Sequence, residues 1–104
     1  MIIYSVTVSI DSTIEKNWLA WMRTKHIPDV MATGFFEDGH LQRLMDPKPE
    51  PGLSTFNVQY SCANMAAYEE YQKVAAPALQ EEHTTRYKDR FVAFRTILKR
   101  EDSF

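Results

Sequence analysis

The stretch IIYSVTVSI, residues 2–10, decides the fold because apolar and small polar side chains alternate along it without interruption. Alternation with a period of two is typical of a β-strand that buries one face and leaves the other free. Three hydroxyl side chains, Ser5, Thr7 and Ser9, share one face of this strand. The opposite, apolar face is formed by Ile2, Tyr4, Val6, Val8 and Ile10.

A helix is predicted directly after this strand. Ser12 and Glu15 have the spacing of a capping box, in which each side chain bonds a free backbone N–H at the helix start. Large apolar side chains then recur with helical spacing. They are Ile14, Trp18, Trp21 and Met22. This face of the helix is expected to pack on a sheet.

Pro28 is expected to end this helix near Lys25 or His26, because proline has no backbone N–H and restricts the residue before it. The segment PDVMA, residues 28–32, can then form one further short turn that stops at Gly34. A second strand is predicted over FFEDGHLQRLM, residues 35–45, with Gly39 as a possible bulge. The proline-rich run DPKPEPGLS, residues 46–54, is expected to be an exposed loop.

The same order of elements then repeats at an offset of about 50 residues. A third strand is predicted over STFNVQYSC, residues 54–62, which alternates. Asn64 can cap a helix that Pro77 interrupts, and a shorter helix then reaches about Arg86. The last strand is predicted over RFVAFRTILK, residues 90–99. The order β-α-β-β-α-β predicts an α+β, ferredoxin-like fold, in which two helical segments cover one face of a four-stranded antiparallel sheet. The 104 residues are expected to form a single domain, 1–104.

The uncovered face of this sheet predicts a homodimer. Its positions on the first and third strands carry small, neutral, polar side chains, whereas a fully solvated face more usually carries lysine and glutamate. These positions are Ser5, Thr7, Ser9, Thr55, Asn57, Gln59 and Ser61. A second copy of the chain, related by a two-fold axis, is the simplest partner for this face. A solvated face that happens to lack charge is the alternative.

Composition and motifs exclude several functions. The net charge of −2 and the scattered basic residues argue against nucleic acid as a partner. No apolar run is long enough for a membrane span, and the N-terminus does not resemble a signal peptide, so a cytoplasmic protein is expected. Cys62 is alone, the three histidines lack metal-ligand spacing, and no dinucleotide, P-loop or serine-hydrolase motif occurs. We therefore expect neither a metal nor another cofactor.

Several segments together resemble a family of short, uncharacterised bacterial proteins known only as a domain of unknown function. They are MIIYSVTVSID, W-x-x-W-M with HIPDVMATGFF, the pair Gln59-Tyr60, APALQEEH and RFVAFRTIL. That family is similar in architecture to the dimeric α/β-barrel superfamily, in which two ferredoxin-like sheets pair. The resemblance implies a dimer but no activity. Within the superfamily, cofactor-free monooxygenases, lactone isomerases and haem-degrading enzymes use a pocket between sheet and helices, so the fold does not identify the function.

His26 is the first candidate for chemistry, because the position fifty residues later is Ala76 and the repeat gives no packing reason for a histidine. Asp29 lies near enough in sequence to orient its imidazole. We interpret His26 as a candidate general base and Asp29 as its partner. The alternative is that both residues satisfy backbone groups at the proline break.

Trp18, Tyr60 and Arg95 are the candidate ligand-binding residues. Trp18 can instead be a packing residue, since its counterpart in the repeat is the aromatic Tyr68. Arg95 lies among apolar residues of the last strand and needs either a carboxylate partner or an anionic ligand. His83 is interpreted as a buried structural histidine.

Two functions are consistent with these features. The first is a homodimeric α/β-barrel protein that binds a small molecule between helices and sheet, with cofactor-free isomerase or monooxygenase-like chemistry. The second is a non-enzymatic dimeric interaction or structural module, in which the aromatic residues serve only the core. Haem binding is a third possibility and requires a histidine over an open cleft.

Overall fold

A computed structural model describes residues 1–104 and has the predicted order of strands and helices. The strands are β1 (Ile2–Asp11), β2 (Asp38–Arg43), β3 (Leu53–Cys62) and β4 (Phe91–Lys99). They form one antiparallel sheet in the order β2-β3-β1-β4. The helices are α1 (Glu15–Trp21), α2 (Ile27–Ala32), α3 (Met65–Val74) and α4 (Ala76–Arg86). The ferredoxin-like prediction is therefore confirmed.

The start of the first helix differs from the predicted capping box. Asp11, not Ser12, is the cap: its carboxylate accepts hydrogen bonds from the backbone N–H of Thr13, at 2.9 Å, and from the Thr13 hydroxyl, at 2.7 Å. A short 3₁₀ turn, Ser12–Ile14, then leads into α1. The Glu15 carboxylate bonds Arg43 and Ser54 on the sheet, so it is not free to close a capping box.

The predicted break at Pro28 is also wrong. The helix continues through a π turn, Met22–His26, in which the N–H of Ile27 bonds the carbonyl of Met22 five residues earlier. Pro28 lies in the first turn of α2, inside a continuous helix, where its missing N–H and its ring would disrupt a regular α-helical turn. A widened turn thus lets the chain pass the proline without ending the helix. The helix stops at Gly34 as predicted, with φ of +81°.

The second strand is shorter than predicted and contains no bulge. β2 covers only Asp38–Arg43, and Phe36, placed in this strand by the sequence, lies in the core before it. Gly39 pairs in register with Tyr60, whose ring lies 3.2 Å from the position that a Cβ would occupy. The glycine therefore provides room for the Tyr60 ring.

The sheet face that the helices leave uncovered carries an apolar stripe, formed by Val92, Phe94 and Leu98 of β4. This stripe was not predicted from the sequence. Val92, Phe94 and Leu98 of β4 pair with Ser9, Thr7 and Ile3 of β1, and they are 70%, 62% and 49% exposed. The neighbouring polar side chains bond one another within the face, for example Ser9 to Thr55 at 2.8 Å. Adjacent exposed apolar side chains of this size are typical of an interaction surface.

Candidate functional site

A cavity lies between the helices and the sheet, on the side away from the apolar stripe. Strands β1, β3 and β4 line one wall, and the π turn, α2, α3 and α4 line the other. Eleven of its 15 lining residues are hydrophobic. The polar groups that converge on it are Tyr4, His26, Tyr60, Tyr71, Gln80, His83 and Arg95. An apolar cleft with a few convergent polar groups is the usual form of a ligand site.

This cavity is narrow but open. Its volume is about 40 Å³, enough for a few water molecules. Arg95 is the exposed member of the lining, and Leu79 and Gln80 are partly exposed, so the mouth lies between β4 and α4. A ligand larger than a few water molecules therefore enters only when these side chains move outward.

His26 lies at the end of the π turn and lines this cavity, as Met22 and Val30 do. In a regular α-helix, side chains four residues apart drift around the axis by about 40°. The wider π turn offsets part of this drift and keeps the three side chains on the cavity side. The helical geometry at Pro28 thus determines where the His26 ring lies.

The Nδ1 atom of His26 is buried and has no hydrogen-bond partner. Burial lowers the pKa of the imidazole; the nearby carboxylates of Glu82 and Asp29 oppose this shift, and the charges of Arg95 and Lys25 add to it. His26 is therefore an uncharged imidazole at neutral pH. A buried ring nitrogen without a protein partner is an unsatisfied polar group, and a ligand reaches it only when the side chains around it move.

Asp29 does not orient His26. Its carboxylate forms an ion pair with Lys25, one helical turn earlier, and both side chains are well exposed. No hydrogen bond joins Asp29 to the imidazole, whose Nδ1 remains free. The structure therefore places Asp29 outside the cavity, where it affects His26 only through its charge.

Trp18 is fully buried and does not line the cavity, but it holds a residue that does. Its indole Nε1–H donates a hydrogen bond to Nε2 of His83 at 2.9 Å. Burial, helped by the nearby His26 and Arg95, lowers the pKa of His83 to about 4. The His83 ring lies 5.8 Å from that of His26, between centroids. Two uncharged imidazoles thus stand side by side at the cavity wall.

Arg95 brings a positive charge to the mouth of the cavity. Its Nε donates a hydrogen bond to the Tyr4 hydroxyl at 3.1 Å, and no carboxylate lies within 4 Å of the guanidinium. Of the two possibilities for this residue, the ion pair within the chain is therefore absent. Burial raises the pKa of Tyr60 and Tyr71 well above its usual range, so these cavity phenols stay protonated.

The structure brings three of the five predicted site residues to one cavity: His26, Tyr60 and Arg95. His83 is interpreted from the sequence as a buried structural histidine, and the structure shows that it also lines the cavity and accepts a hydrogen bond from a tryptophan 65 residues away. No sequence spacing could predict that pairing. The one available signal was the i, i+4 spacing of Leu79 and His83, which places the histidine toward the inner side of its helix.

No group of three or more histidine, cysteine, aspartate or glutamate side chains is placed to hold a metal ion. Each helix is too short or too polar to cross a lipid bilayer.

Comparison with known proteins identifies the family. Residues 1–101 match the family described as "Domain of unknown function (DUF4286)". Because this match covers nearly the whole chain, the chain belongs to that family. No curated protein matches the sequence.

Solved structures share the fold at low sequence identity. HapK from Hahella chejuensis is 9% identical, with a TM-score of 0.73 over 100% of this chain and 96% of that chain. A dimeric ferredoxin-like protein from an uncultured marine organism is 6% identical, with a TM-score of 0.69 over 100% and 98%. SnoaB, a cofactor-independent oxygenase from Streptomyces nogalater, is 8% identical, with a TM-score of 0.63 over 98% and 95%. These likenesses confirm the ferredoxin-like fold of dimeric α/β-barrel proteins and show nothing more.

Proposed function

We propose that two copies of the chain pair through the uncovered sheet face, and that each subunit binds a small apolar molecule with an acidic oxygen in its cavity. The observation that carries the proposal is the buried, unpartnered Nδ1 of His26 in an apolar cleft whose mouth holds an unpaired Arg95. A buried polar atom without a partner costs free energy, and a ligand that bonds it recovers that cost.

The chemistry that suits this site is proton transfer. An uncharged His26 can accept a proton from an acidic O–H or C–H group, and the Arg95 guanidinium can stabilise the anion that forms. Removal of such a proton is a step that cofactor-free isomerisation and cofactor-independent oxygenation can both use. SnoaB, whose fold is similar, is a cofactor-independent oxygenase, which is consistent with the second of these. We assign His26 as the base and Arg95 as the group that binds the acidic oxygen.

The dimer supports this function without adding residues to the site. The apolar stripe of Val92, Phe94 and Leu98 lies on the face opposite the cavity. Pairing through that face leaves the mouth between β4 and α4 open to ligand. A solved protein of similar fold is a dimeric ferredoxin-like protein, which is consistent with pairing of this chain.

Binding is tested with phenol and benzoate as probes and with cyclohexanol as a molecule of similar size that is not acidic. Two-dimensional NMR of the ¹⁵N-labelled protein is expected to show shifts of cavity residues with phenol and benzoate and weaker shifts with cyclohexanol. Arg95→Gln should weaken benzoate binding about tenfold, equivalent to ~1.4 kcal/mol for one charge-assisted hydrogen bond. Arg100→Gln, an arginine beyond β4, is the matched control and should bind benzoate like the parent chain.

If neither acidic probe shifts the cavity residues, the proposed ligand site is wrong. The dimer alone is then the functional form, as in the second hypothesis from the sequence. Equal benzoate affinity of Arg95→Gln and Arg100→Gln would contradict the role of Arg95 specifically.

A further inference from the structure

We propose that Trp18 holds His83 as the uncharged tautomer protonated on Nδ1, so that His83 donates a hydrogen bond to a hydroxyl oxygen of the ligand while His26 accepts one from the same group. This inference rests on the proposed cavity site and narrows its ligand to a phenol or an enol. Trp18 is then a positioning residue, which acts on the ligand only through His83.

The tautomer follows from the chemistry of the indole. An indole nitrogen can only donate a hydrogen bond, so the His83 Nε2 that receives it, at 2.9 Å, carries no proton. An imidazole that is unprotonated at Nε2 carries its proton on Nδ1. The bond is buried, which strengthens it and excludes water as a competing donor.

The surroundings of His83 keep this state in place. Trp18 is fixed against Phe56, with ring centroids 5.0 Å apart, and cannot turn its N–H away. The edge of Phe91 and the ring of Trp21 pack on the imidazole at centroid distances of 4.5 and 5.8 Å. Arg95 and His26 both disfavour a positive charge on His83. The Nδ1–H makes no hydrogen bond within the chain and is available in the cavity that His83 lines.

The two histidines are consequently not equivalent. His83 can only donate to a ligand, since its acceptor nitrogen is occupied by Trp18. His26 has a buried nitrogen without any partner and can accept. A hydroxyl group both accepts and donates and so complements the pair, whereas a carboxylate has no proton for His26. A phenol or an enol is therefore the chemical class that uses every group of the site, with Arg95 near the anion that proton loss would form.

The tautomer is measured directly by long-range ¹H–¹⁵N NMR of the histidine side chains at pH 7. The expected result is a His83 Nε2 with the shift of an unprotonated nitrogen and an Nδ1 with that of a protonated one. A protonated Nε2, or a cationic ring, overturns the proposal on the parent chain alone. The result does not depend on any variant folding.

Two tryptophan variants then test the positioning role. Trp18→Phe removes the indole N–H and should release the tautomer, giving averaged nitrogen shifts, and should weaken phenol binding about tenfold. Trp21→Phe removes a ring that also contacts His83 but makes no hydrogen bond to it, and should leave the His83 tautomer unchanged. A fixed Nδ1–H tautomer in Trp18→Phe would contradict the assignment.

The ligand class is tested in the same spectra. Addition of phenol should shift His83 Nδ1 and His26 Nδ1, and benzoate should shift residues near Arg95 with a smaller effect on His26. Phenol binding that leaves both imidazoles unchanged overturns this inference but not the cavity site. Failure of both probes to bind overturns the proposed function. The His83 tautomer is still tested in that case, because it is measured on the protein without ligand.

Discussion

His83 shows how one buried hydrogen bond can define a site that its own sequence position does not reveal. From the sequence, strand alternation places Tyr60 inward, Arg95 lies among apolar residues of the last strand, and His26 stands out because the repeat has no histidine at that position. All three line the cavity. The sequence could not predict the bond between Trp18 and His83, because that depends on two helices meeting over the sheet. Asp29 was expected beside His26 on spacing alone, and Lys25 engages it instead.

The lowered pKa of His83 predicts how stability depends on pH. Its pKa is about 4 in the folded chain and about 6.5 when unfolded, so between these values the unfolded chain binds a proton that the folded chain does not. The contribution of His83 to the free energy of unfolding is therefore complete above pH 6.5 and decreases as the pH is lowered towards 4. The difference between these two pKa values corresponds to about 3 kcal/mol of unfolding free energy.

Urea unfolding at pH 7 and pH 4.5 checks this. His83→Gln, whose amide oxygen can still accept from Trp18, should lose about 2 kcal/mol less than the parent chain between these two pH values, because pH 4.5 lies above the folded pKa and the full effect is not yet reached. His26 contributes a further slope of the same sign, so the variant keeps some pH dependence. His40→Gln is the control, since the His40 side chain is largely exposed on β2. Parallel profiles for the parent and His83→Gln would contradict the buried neutral state.

The helical segment between β1 and β2 is where local sequence rules and the structure diverge most. Proline was expected to end the helix, but a single π turn accommodates it and directs His26 into the cavity. Such a turn has no signature in apolar periodicity, because it changes the register by only one residue. Asn64, in contrast, caps α3 as its sequence position indicated, with its side chain accepting from the N–H of Ala67 at 2.9 Å. The cap predicted at the first helix failed because the sheet residues Arg43 and Ser54 engage Glu15, whereas no distant residue competes for the Asn64 side chain.

Two substitutions distinguish the observed cap of the first helix from the one that the sequence predicted. Asp11→Ala removes the acceptor of the Thr13 N–H and should lower the free energy of unfolding by about 1 kcal/mol. Ser12→Ala should change it by less than ~0.5 kcal/mol, because the Ser12 side chain makes no hydrogen bond and is exposed. Denaturant unfolding of both variants decides the matter, and a larger loss for Ser12→Ala would favour the capping box.

At the scale of the whole molecule, the cavity lies on one face of the sheet and the apolar stripe of Val92, Phe94 and Leu98 lies on the other. The fold was predictable because the strand–helix–strand order occurs twice and the topology then has few alternatives. The uncovered face was predicted from β1 and β3, whose side chains are neutral and polar. Its apolar part on β4, formed by Val92, Phe94 and Leu98, was not included, because the prediction was drawn from the side chains of β1 and β3 alone.

If two chains pair through the apolar stripe of Val92, Phe94 and Leu98, one charge placed there should disrupt the dimer. Phe94→Asp places a carboxylate in the centre of the apolar stripe, where pairing would bury it without a partner, so the variant should sediment as a monomer of 12.1 kDa. The parent chain at micromolar concentration should sediment at twice that mass. Val74→Asp is the matched control, since Val74 is 58% exposed on α3, away from the sheet face, and should remain dimeric. A monomeric parent chain would contradict the proposed dimer.

The most direct test of the cavity as a ligand site is a crystal structure determined with phenol in the crystallisation solution. We expect electron density for one ring between α4 and β4, with Leu79 and Gln80 displaced outward and the phenol oxygen within hydrogen-bond distance of His83 Nδ1. His26 should lie on the other side of that oxygen. An empty cavity in crystals that hold phenol elsewhere, for example against Phe94 on the opposite sheet face, would contradict the proposed site.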